Sequence, residues 1–141
     1  MKLLTNYCFL VYFICFTCCA SNIKQIKITP IKVAQEQAYI KLIININNLS
    51  NAHDELVAIE TNPKLQVTIL NQGTDQGVTK KFNLHKIALP KHYQVQMNDN
   101  FYIKIEDTGL LKEFILNFHF LNHQEQSFKI SLLPNVTMEE L

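Results

Sequence analysis

A period of two runs through this chain. In FYIKIED, residues 101–107, Phe101, Ile103 and Ile105 point one way while Tyr102, Lys104 and Glu106 point the other. AYIKLIININN likewise puts Ala38, Ile40, Leu42, Ile44 and Ile46 on one side, and LQVTIL does so with Leu65, Val67 and Ile69. Successive side chains alternate across a strand, whereas a helix collects every third or fourth residue on one face. No segment keeps the helical spacing for more than about two turns. The chain is therefore predicted to be all-β, with each strand half-buried.

Turn signals divide it: NNLSN, TNPK, NQGTDQG, NDN and NHQEQ, with Pro30, Pro90 and Pro134 as breaks. About seven to nine short strands in roughly 115 residues predict a single-domain β-sandwich over residues 21–134. Val95, Met97, Leu116, Phe118, Phe120, Phe128, Ile130 and Leu132 join the inner faces. Each contributes about 1.5–3 kcal/mol if fully buried, enough for a core without disulfides. Residues 135–141 read as a flexible tail.

The first twenty residues, MKLLTNYCFLVYFICFTCCA, differ in kind: one charge at Lys2, then an apolar run from Tyr7 to Ala20. That run is short for a bilayer span and suits the core of a signal peptide. Cys18 and Ala20 fit the small positions before a cleavage at Ser21. All four cysteines lie in this leader, so the mature chain is expected to hold no thiol or disulfide. Lipid attachment at Cys18 or Cys19 would tether the protein to a membrane. The residues before each are a poor match to a lipoprotein signal.

Formal net charge is +1 and arginine is absent. Without a basic patch or guanidinium groups, nucleic-acid binding is set aside. No nucleophile elbow, zinc-protease helix or glycine-rich phosphate loop is present, so catalysis is not expected. Asp54-Glu55 reads as a polar strand start. Of five histidines, His119 shares an outward face with Asn117 and His123 follows in a turn; exposed neutral imidazoles are the expectation. His85 and His92 flank Ile87–Pro90, with Met97 beyond, and form an alternative metal-ligand set. The sequons at Asn48 and Asn135 matter only in a eukaryotic source.

In order, AYIKL, DELVA, LQVTIL with its hairpin NQGTDQGVTKK, IALP, and FYIKIED followed by LLKE resemble the PCuAC family. The likeness runs from about Ile26 to Pro134. It implies a cupredoxin-like, Ig-like Greek-key sandwich and a small exported copper chaperone, periplasmic in a Gram-negative bacterium. Family members hold Cu(I) with a His-x10-Met-x21-His-x-Met pattern and are thought to pass it to the binuclear copper centre of cytochrome oxidase. Carried onto this chain, the four ligand positions fall on Leu70, Lys81, Ile103 and Ile105. Cu(I) is soft and needs thioether or imidazole donors, and none of these side chains offers one. The resemblance thus implies a binding or assembly module for another envelope protein, with no cofactor. Leu70, Ile103 and Ile105 would form an aliphatic cluster there, covered or exposed as a docking patch. Two alternatives stay open: copper carried by His85, His92, Met97 or Met138, and an interaction domain unrelated to copper.

Overall fold

The computed structural model describes residues 25–106 and 108–141. The signal-peptide and lipid-attachment readings, with all four cysteines, lie outside the described residues. Eleven strands follow in order: β1 (Ile26–Gln35), β2 (Tyr39–Asn48), β3 (Asp54–Asn62), β4 (Gln66–Asp75), β5 (Val78–Leu84), β6 (Ile87–Leu89), β7 (Gln94–Gln96), β8 (Phe101–Glu106), β9 (Glu113–Phe120), β10 (Gln126–Ser131) and β11 (Thr137–Glu140). Two antiparallel sheets face each other. One runs β1-β2-β8-β4-β5, with β7 also pairing β2; the other runs β11-β10-β9-β3-β6. Among the described residues no helix is long and apolar enough to cross a membrane.

The alternation places the core as expected. Ile40, Leu42, Ile44 and Ile46 of β2 and Ile103 and Ile105 of β8 are fully buried against Leu116, Phe118 and Ile130 of the other sheet. Phe118 and Phe128 meet edge to face at 5.6 Å, a favoured ring arrangement. Buried Asn48 ties β2 to the other layer: its Nδ2 donates to the Leu89 and Ala52 carbonyls at 2.8 Å, and its Oδ1 accepts from Ser50 N at 3.0 Å. That enclosure removes the first sequon as a surface acceptor.

Several expectations need correction. Pro30 does not end β1, because β1 is an edge strand and bulges between Pro30 and Lys32, where a missing N–H is tolerated. Ala38 is exposed and precedes the strand it was grouped with. VTKKFNLHKIAL, which reads as one segment closed by Pro90, is two strands, since the chain crosses from one sheet to the other between Leu84 and Ile87. The tail is not loose: Thr137–Glu140 pair with Phe128–Ser131 as β11. The β4–β5 hairpin turns at Gln76 and Gly77, both with positive φ (51° and 78°), the two-residue turn that matches strand twist.

Candidate functional site

Strand pairing decides where the carried-over pattern lands. In β4 and β8, Val67 stands opposite Ile105, Ile69 opposite Ile103, and Leu70 opposite Tyr102. Ile103 and Ile105 therefore belong to the core face, at 0% exposure, while Leu70 turns to the outer face at 9%. On β5, Gln72 is opposite Lys81, so exposed Lys81 shares Leu70's side of the sheet. The expected cluster of Leu70, Ile103 and Ile105 does not exist. A one-residue difference in register reverses the face a side chain points to, and Leu70 is separated from the two isoleucines by the sheet itself. No docking patch forms from the three.

What accompanies Leu70 on the outer face is a lysine–tyrosine lattice. Lys41 and Lys104 face each other across β2 and β8. Their repulsion is offset twice over. Lys41 Nζ lies 4.5 Å from the Tyr102 ring centre and 2.7 Å from Asp99 Oδ1. Lys104 Nζ lies 4.9 Å from the Tyr39 ring centre and 2.6 Å from Glu106 Oε1. The hydrogen bond to Asp99 raises the Lys41 pKa above its ordinary value, and that to Glu106 does the same for Lys104. Both ammonium groups are thus committed to protein partners, and neither has a free lone pair for a cation.

The alternative ligands do not gather at one surface. Met97 is buried in the core cluster, whereas His85 on the β5–β6 connection and His92 after β6 are exposed. Met138, half-buried on β11, packs against the same core. Among the described residues, no group of three or more His, Cys, Asp or Glu could hold a metal ion.

Two histidines are more engaged than the sequence indicated. His123 Nδ1 donates to Asp54 Oδ2, and its Nε2 lies 2.8 Å from the Gln25 side-chain oxygen. Asp54 Oδ1 accepts from the backbone N–H groups of Glu55 (2.8 Å) and Asn122 (2.9 Å). Burial alone would raise the Asp54 pKa; the His123 bond and the two amides outweigh it and leave the carboxyl below 3.8. This buried constellation fastens the β9–β10 turn to the start of β3. His119 stands between Glu60 (3.4 Å) and Glu125 (3.0 Å) on the outer face of its sheet. Asp54 and Gln25 lie far from His123 in sequence, as Glu60 does from His119, with no local motif to announce them.

A concave feature lies elsewhere. A cleft of about 500 Å³ opens between the sheets beside β3, lined by residues 57–61 on one wall and by Leu65, Val67, Ile69 and Leu84 on the other. Lys64 and His85 stand at its rim.

No known family's sequence profile matches the chain, and no curated protein matches it. Solved structures do. The apo PCuAC domain of PmoF2 superposes with a TM-score of 0.58 at 16% identity, covering 74% of this chain and 86% of that one. The copper-bound PCuAC domain from PmoF2 gives 0.55 at 15%, covering 74% and 89%. At such identity the likeness is one of architecture: the chain has the β-sandwich fold of PCuAC domains.

Proposed function

We propose that this protein is an exported binding or assembly module built on a copper-chaperone sandwich, not an enzyme, and that it does not carry copper at the place the resemblance indicates. One observation carries the reading. The four positions divide between two faces, Leu70 and Lys81 outside, Ile103 and Ile105 inside, and are hydrocarbon or ammonium side chains. A soft cation needs convergent sulfur or imidazole donors, and here neither the convergence nor the donors are supplied. The outer-face neighbours of Leu70, Tyr102 and Lys104, do not replace them. The work left to the fold is recognition of another protein of the cell envelope.

The test is Cu(I) competition against a chromophoric chelator, using protein that begins at Ser21. The expected result is no stoichiometric tight binding. Tight one-to-one binding would overturn the proposal, and His85→Ala and His92→Ala would then locate the ligands.

A further inference from the structure

The cleft beside β3 has two walls of different chemistry. On one wall five consecutive residues, 57 to 61, contribute. A strand that presents a face contributes alternate residues only; β3 bulges at Val57, and beyond the bulge the consecutive run from Ala58 to Thr61 means the strand presents its edge. That edge is open. β6 pairs with β3 only at Asp54–Leu56, and β9 takes the opposite side from Leu56 to Asn62. Among the described residues no backbone group bonds to residues 57–62 on the β6 side. β6 cannot continue because its chain departs at His85 and Lys86 to reach the other sheet, with Lys86 held by Glu55 of β3 at 3.0 Å.

The other wall is a sheet face. Leu65, Val67 and Ile69 alternate along the β4 segment, and Leu84 of β5 lies opposite Ile69. Leu65, Val67 and Leu84 are only half-buried, although they pack on the core. Unpaired strand edge and apolar face together are what a guest strand requires. The edge supplies main-chain hydrogen bonds, and the face receives every second side chain.

We infer that the cleft beside β3 binds an extended peptide segment of a protein partner, added as a strand to residues 57–61, with apolar side chains at alternate positions and an acidic residue near Lys64. This deepens the proposal that the chain is a binding module and rests on it. The length follows from the strand rise: residues 57 to 61 span about 13 Å, room for roughly four guest residues. The crossovers at 62–65 and 84–87 bound the cleft at its ends, so the guest is a loop tip or a terminus. Charge selects its flanks. Lys64 is exposed and makes no ion pair among the described residues, unlike Lys86.

The probe is an EVTVTVE-amide peptide carrying fluorescein on its N-terminal amine through a glycine spacer, followed by anisotropy. Strand addition uses the amides of alternate residues only. Two isomers are therefore compared, one methylated at the nitrogens of the first two valines and one at the nitrogens of the two threonines. Saturable binding is expected, with one isomer losing at least about tenfold in affinity and the other retaining it. Lys64→Glu, checked for an unchanged thermal transition, is expected to weaken binding about threefold at low salt and to lose that difference at high salt. No saturation below about 1 mM, or equal binding of both isomers, overturns the inference. So does sedimentation equilibrium showing a dimer that the peptide does not dissociate, because the edge would then belong to a second copy. Copper competition is a separate readout: tight Cu(I) binding beside intact peptide binding removes the function proposed above and leaves the cleft standing.

Discussion

The seam between β2 and β8 and the cleft between β3 and β4 are made from the same alternating pattern, and they end in opposite conditions. At the seam, Ile40 and Leu42 stand opposite Ile105 and Ile103, and all four are fully buried. At the cleft, Leu65, Val67 and Ile59 sit on equally apolar positions and stay half-buried. Alternation chooses the face of a strand; coverage depends on what stands across from it. At the seam the opposite sheet is complete. At the cleft β6 stops after three pairs with β3, and the row beyond is left open.

The largest effect expected from this contrast is in packing. Ile103→Ala creates a cavity with no access to solvent and is expected to cost about 2–5 kcal/mol, read as a lower urea midpoint at unchanged slope. Val67→Ala, at the margin of the cleft, is expected to cost about 1 kcal/mol, since only part of its surface is withdrawn from water. Equal losses at the two positions would show that the cleft is closed in solution.

Next comes the buried carboxylate at the start of β3. Asp54→Asn weakens three hydrogen bonds to a charged acceptor and is expected to cost about 1.5–3 kcal/mol. Its pH dependence has a fixed sign. The folded carboxyl sits below 3.8, so its stabilisation is present above that value and is lost as pH falls through it toward the folded pKa. The wild type is therefore expected to lose stability more steeply than Asp54→Asn below about pH 4. Parallel curves in urea denaturation across that range would remove the account.

These differences also explain what was readable in the chain. The fold class, the inward faces of β2, β4, β8, β9 and β10 and most of the core follow from period two, which is local. Three things were not local. Grouping Leu70 with Ile103 and Ile105 required the pairing of β4 with β8, and a one-residue change in register reverses that answer. The tail became β11 because Ile130 and its neighbours on β10 had a free edge to offer Met138. Asp54 and His123 meet across 69 residues, a distance over which residue types alone say nothing. The cleft is the same kind of case, since it exists only because β6 is short.

A smaller effect is expected on the outer face of the seam. Lys41→Met removes the ammonium over Tyr102, and the ring contact contributes about 0.5–1 kcal/mol. The lattice is partly exposed, so the loss should shrink in high salt, where the ion pair to Asp99 is screened in the wild type as well. A loss independent of salt would mean that the lysine's aliphatic stem covering Tyr102 is the larger contribution.

The smallest effect is expected at the rim of the cleft, and it is the one that separates folding from binding most cleanly. Among the described residues Lys64 makes no ion pair, and its side chain is exposed, so reversing its charge should move stability by no more than about 0.5 kcal/mol. The same change places a carboxylate where an acidic guest would lie and should weaken the peptide at low salt. A residue that carries no weight in the fold and measurable weight in binding is the signature of a surface kept for a partner. If Lys64→Glu instead destabilised the fold by more than about 1 kcal/mol in urea, the open edge of β3 would be part of the sandwich's own closure, and the contrast between seam and cleft would disappear.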